Sequence, residues 1–139
     1  MTLKSAYLLD ANILLRFLTN DHPIHGAASK KLFADAGSGK ISLRIPFIAI
    51  AETIFTLQSY YEIDRADIGR EILKLLTAPG VALTCPHWVL EAVEDYQARN
   101  ISFGDACIAA EAKADQTPIA SFDRGLDKFP GIKRHEPKA

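Results

Sequence analysis

Residues 6–19 read AYLLDANILLRFLT, and the change of pattern at Asp10 decides the fold. Ala6 to Leu9 is a short apolar run suited to a buried strand. Asp10 stops it, and Asn12 leads into Ile13, Leu14, Phe17 and Leu18, which recur at helical spacing. Strand, turn and helix follow one another, so Asp10 stands where the chain leaves a sheet at its carboxyl edge. Open α/β sheets bind their ligands at that edge.

Outward from this stretch the same alternation continues. Pro23 to Ala36 forms a helix with proline in its first turn and Gly37 at its end. Lys40 to Ile45 alternates as a strand. Pro46 opens a helix over FIAIAETIFTLQSYY, and Asp64 caps another from Arg65 to Thr77, with Ile68, Ile72, Leu75 and Leu76 on its inner face. Pro79 and Gly80 end it. A short strand at Val81 to Thr84, a helix from Pro86 to about Arg99, a helix from Ser102 to about Ala114 and a strand at Thr117 to Phe122 complete the pattern. Only the tail after Phe129 reads as loosely held. Short apolar strands separated by helices predict a parallel sheet covered on both faces. The 139 residues read as a single domain, 1–139, without internal repeats.

Composition narrows the function less than the fold. The formal net charge of −1 rules out a polybasic nucleic-acid coat but allows a local basic groove. The apolar stretch near the start is interrupted by Asp10, Asn12 and Arg16, and no run reaches the roughly 18 apolar residues that span a bilayer, so a soluble, cytoplasmic protein without membrane attachment is expected. Cys85 and Cys107 form no CxxC pair, and Cys107, among Ala106, Ile108, Ala109 and Ala110, reads as a buried reduced thiol. His22 and His25 beside Pro23 read as a helix start.

Four acids carry the chemistry. Asp10 has two readings, a ligand at the sheet edge or the N-cap of the helix that follows. Glu52 lies in a helix apolar on nearly every side, with Ile48, Ala49 and Phe55 on its face. Such a helix is expected to be buried, and a buried Glu must be paired, protonated or bound to a metal. Its structural alternatives are a side chain that reaches water or an ion pair with Arg16 or Arg44. Asp105 stands three residues after Ser102, the spacing of a capping box, and gains from the helix dipole in any case. Asp123 follows the strand TPIASF and is either an Asx-turn residue or a second ligand past a strand end. Should both strands lie centrally in one sheet, Asp10 and Asp123 converge. Gathered carboxylates repel one another unless a cation joins them. An oxygen-only donor set suits Mg²⁺ or Mn²⁺ better than zinc, and no HExxH helix is present.

The segments YLLDANILLRFL, IAETIFTL, ISFGDACIAA and ASFDRGLDKFPGI, in that order and spacing, resemble the PIN-domain family, and in particular the VapC-type toxin ribonucleases of VapBC toxin–antitoxin modules. The resemblance implies a three-layer α/β/α sandwich on a central parallel sheet. It makes Asp10, Glu52, Asp105 and Asp123 the acidic quartet that binds Mg²⁺ or Mn²⁺, with Asn12 and Ser121 as polar supporters. Asp127, also acidic, reads as a solvated position. The implied activity is endoribonuclease cleavage of RNA phosphodiesters by metal-activated water. The implied partners are a small VapB-like antitoxin, whose peptide enters the active-site groove, and a second copy in a homodimer. Arg16 and Arg124 are the cations placed for RNA phosphate contact.

Two other readings compete. A phosphoacceptor receiver domain needs an adjacent acidic pair after its first strand, and Asp10 is followed by Ala11 and Asn12. A housekeeping PIN-type RNA-processing nuclease keeps the same site; the single-domain length favours the toxin.

Overall fold

The computed structural model describes residues 4–139. The chain divides into two compact units, Met1–Pro86 and His87–Ala139. Its class is α/β, with helices around a central parallel sheet of three strands.

The first unit runs β1 (Ser5–Leu8), α1 (Ala11–Leu18), α2 (Pro23–Gly37), β2 (Ile41–Arg44), α3 (Phe47–Ser59), α4 (Arg65–Leu76) and β3 (Val81–Ala82). The sheet order is β1-β2-β3. β1 pairs with β2 from Ser5↔Ile41 to Leu8↔Arg44, and β2 pairs with β3 at Leu43↔Val81, all parallel. Parallel neighbours need a crossover between them, and the intervening helices provide it. β2, paired on both sides, carries the fully buried Leu43 and leads to the equally buried Ile45. Leu14 of α1, Ile50 and Ile54 of α3, and Ile68 and Ile72 of α4 are buried to the same degree.

Gly80 turns the chain into β3. Its φ of +81° lies in the left-handed region, and a Cβ there would sit 2.2 Å from the carbonyl oxygen of Ala36. Glycine is therefore required for two reasons at once. The Gly80 carbonyl also accepts the Leu43 amide at 2.9 Å, which ties the turn to the central strand.

The apolar run at residues 6–9 is not the buried strand that its composition predicts. β1 is exposed throughout, Leu8 at 69%, and only Leu9 is buried. The reason is topological. β1 ends its sheet, so among the described residues it has one strand neighbour instead of two.

The second unit holds α5 (Trp88–Ala98), α6 (Phe103–Asp115), β4 (Ile119–Ala120), a 3-10 turn (Arg124–Lys128) and β5 (Arg134–His135). α5 and α6 pack together, with Val89, Ala92, Val93 and Tyr96 buried on one and Phe103, Ala106, Ala109 and Ala110 on the other. The Tyr96 and Phe103 rings meet edge to face at 6.0 Å. Ala109, Ile119, Leu126 and Phe129 form a buried cluster that Ile132 packs against.

The tail after Phe129 is not loosely held. β5 lies parallel to β4, with Ile119↔Arg134 and Ala120↔His135 in register. Arg134 fastens it through bonds to Asp127 Oδ1 at 2.9 Å, the Ser121 carbonyl at 3.0 Å and Glu136 Oε1 at 3.2 Å. A two-residue strand held by two backbone bonds and one arginine leaves no periodic signal in the sequence. The expected strands are therefore all parallel, but they are divided between a three-stranded and a two-stranded sheet. Among the described residues no helix is long and apolar enough to cross a membrane.

Candidate active site

Asp10 caps α1. Its backbone is extended, at φ −92° and ψ 172°, and its Oδ1 accepts the Ile13 amide at 3.2 Å. The capping reading is thus correct, yet it uses one oxygen of two. A carboxylate has acceptor capacity beyond one such bond, so capping fixes the direction of Asp10 without consuming it.

Glu52 is exposed, not buried. α3 buries Ala49, Ile50, Thr53, Ile54 and Leu57, while Ile48 and Phe55 stand open at 63% and 69% exposure. The helix is apolar on both sides but covered on one. Burial therefore does not force Glu52 to bind a cation. A different observation takes its place: Asp10, Asn12 and Glu52 line one open cavity of about 340 Å³, with Ala11, Leu15, Phe55 and Thr56 completing its wall. Two carboxylates and an amide from two helices line it together, and among the described residues neither acid forms an ion pair.

In the second unit the capping box is half formed. The Ser102 hydroxyl accepts the Asp105 amide at 3.0 Å, and among the described residues the half-buried Asp105 carboxylate forms no ion pair. Asp123 caps the 3-10 turn by accepting the Gly125 amide at 2.8 Å. Ser121 supports that turn through its hydroxyl, which accepts the Asp123 amide at 2.9 Å.

Among the described residues, no three of His, Cys, Asp and Glu are gathered closely enough to hold a metal. The pair Asp10 and Glu52 is a smaller set with suitable chemistry. Mg²⁺ keeps several waters and is commonly held by one or two carboxylates together with substrate phosphates. Oxygen donors alone suit it or Mn²⁺ and do not suit zinc.

The two arginines differ. Arg16 donates to Asp21 Oδ1 at 3.0 Å, and Asp21 also accepts the Thr19 hydroxyl at 2.8 Å and the Tyr61 hydroxyl. The Tyr61 bond, then the Thr19 bond, then Arg16 hold the Asp21 carboxyl down at about 2. Nothing in the sequence pointed to Asp21 or Tyr61, because their contact crosses 40 positions. Arg124 is exposed at the start of the 3-10 turn. Asp127 is exposed as expected but not merely solvated: Arg134, bound to both its oxygens, lowers its pKa.

The remaining side chains behave as the sequence predicts. His22 caps α2, its Nδ1 accepting the His25 amide at 3.1 Å, and the two rings stack at 3.8 Å. Cys107 is a buried free thiol, and burial pushes its pKa up to about 12.

A family model described as PIN domain matches residues 7–132 and so runs through both units. No curated protein matches the chain.

Proposed function

The chain belongs to the PIN domain family, and we propose that it is a Mg²⁺- or Mn²⁺-dependent endoribonuclease, the toxin of a type II toxin–antitoxin module. PIN domains are generally nucleases, they typically use divalent metals, and PIN nucleases act on RNA. The observation that carries the reading is the shared cavity of Asp10 and Glu52, two carboxylates in a lining that, among the described residues, includes no Lys or Arg.

Asp10 and Glu52 hold the metal on this geometry. Asp105 and Asp123 are proposed for the same role on their places in the family motifs, with Asn12 and Ser121 supporting. A bound divalent ion lowers the pKa of water and offsets charge on the departing oxygen. Asp10, its direction set by the cap bond, is the fixed ligand. Glu52, exposed in the cavity wall, orients the attacking water or takes its proton. Arg124 meets RNA phosphate, and Arg16 lies beside the cavity wall at Asn12.

The toxin role rests on the motif resemblance. A protein partner is favoured by Ile48 and Phe55, exposed on the helix that carries Glu52, and the antitoxin is proposed to cover them. Homodimer formation, a cytoplasmic location and a single PIN domain over 1–139 belong to the same reading. A short antitoxin-like reading frame beside the gene supports the toxin over a housekeeping nuclease. The direct experiment incubates purified protein with total RNA in Mg²⁺ or Mn²⁺ and in chelator. Cleavage with metal alone is expected; cleavage that persists in chelator would overturn the metal mechanism.

A further inference from the structure

A second cavity in the first unit, of about 590 Å³, opens between α1 and α2. Ile13, Ala28 and Leu32 make its walls apolar. Asn12, Arg16, His25 and Ser29 bring hydrogen-bonding groups to it. Its volume falls in the range of roughly 300–1,000 Å³ usual for sites that take a small organic molecule, and apolar walls with a few polar groups are the usual lining.

Three observations say what the molecule is. Asn12 lines this cavity and also the cavity of Asp10 and Glu52, so the two cavities adjoin at one residue. Arg16 is held by Asp21 at 3.0 Å; its charge is largely offset, which makes it a poor anion trap and an oriented hydrogen-bond donor. Ser29 is only 3% exposed and lines the cavity, so its hydroxyl is a hydrogen-bonding group that the lining offers to a ligand. Beside it, the His25 ring is already stacked on His22.

We infer that this cavity is a nucleobase subsite, which seats one base of the substrate RNA next to the phosphate under attack. The inference rests on the ribonuclease reading and adds a source of sequence preference to it. A planar ring with hydrogen-bonding edges meets both requirements of the lining: apolar contact from Ile13 and Leu32, and polar partners at Ser29, Asn12 and Arg16. Stacking of a base on protein rings contributes appreciably to single-strand binding.

The test uses short oligoribonucleotides that carry one abasic residue at successive positions around the cleaved bond. In Mn²⁺, loss of one particular base is expected to lower kcat/KM about tenfold in the wild type. In Ala28→Trp, whose indole fills the cavity, the same loss costs less than about twofold, and Ser29→Ala, which removes only a hydroxyl, shrinks the penalty by an intermediate factor. Equal penalties in all three proteins overturn the subsite while leaving the nuclease reading intact. Should no RNA be cleaved, adenosine and uridine 5′-monophosphates titrated against the His25 ring protons by NMR decide the point separately. Saturable shifts that disappear in Ala28→Trp support the subsite, and absent shifts overturn it. Unchanged base preference together with a changed oligomeric state in Ala28→Trp also overturns it, and assigns the cavity to a protein partner.

Discussion

Asp10 and Glu52 line one cavity from different helices, Asp10 as the N-cap of α1 and Glu52 from within α3. The position of each acid separates its structural duty from its proposed chemical one. Asparagine caps a helix as well as aspartate does, so Asp10→Asn is expected to keep the melting temperature while Asp10→Ala loses about 1 kcal/mol. Glu52 is exposed, and Glu52→Gln is expected to change stability by no more than about 0.5 kcal/mol. Both Asp10→Asn and Glu52→Gln are expected to lose RNA cleavage by about a hundredfold or more. Urea denaturation beside a cleavage assay checks the pair of statements.

Gly80 tolerates no side chain. Its positive φ and the Ala36 carbonyl 2.2 Å from a would-be Cβ place two costs on Gly80→Ala, together about 2 kcal/mol or more. Because Gly80 also bonds the central strand through Leu43, the loss is expected in global unfolding. A stability equal to wild type would show that the turn lies elsewhere.

Asp21 makes stability depend on acid. Its carboxyl is lowered from 3.8 to about 2, first by the Tyr61 hydroxyl and then by Thr19 and Arg16. A group depressed in the folded state contributes stability that is present above its unfolded pKa and is lost as pH falls through the folded one. The window therefore runs from about pH 4 down to about pH 2. Asp21→Asn is expected to flatten the fall in urea midpoint across that window, and an unchanged slope would count against the network.

Arg134 is the fastening of β5. Arg134→Ala is expected to lower the melting temperature, and Arg134→Lys is expected not to restore it. A single ammonium cannot reproduce the fork that bonds Asp127 and the Ser121 carbonyl together. Removal of residues 133–139 is expected to destabilise further, since Ile119 loses its partner strand. Differential scanning fluorimetry of the three proteins gives the order.

Most helices were legible because their ends carry chemistry. Pro23, Pro46 and Ser102 each mark a start within a residue or two of the observed one, and Ile68, Ile72, Leu75 and Leu76 are buried as their spacing predicts. The family too was legible, from four motifs in order. Burial was less so. The composition of α3 does not reveal that Ile48 and Phe55 stay open, and with them Glu52, since an apolar helix covered on one side reads the same as one covered all round. β1 misled for the opposite reason, an apolar strand left at a sheet edge. β5 and the bond from Tyr61 to Asp21 depend on contacts between residues distant in the chain or on elements too short for a period. The cavity between α1 and α2 belongs with these, because its lining alternates between two helices.

Binding of Mn²⁺, followed by its EPR signal in wild-type, Asp10→Asn and Glu52→Gln proteins at matched stability, tests most directly whether the shared cavity is a metal site. The wild type is expected to remove free Mn²⁺ from solution with saturable stoichiometry, and each variant is expected to weaken binding at least about tenfold, in parallel with its loss of cleavage. Equal Mn²⁺ affinity in all three proteins would contradict the assignment of Asp10 and Glu52 as ligands.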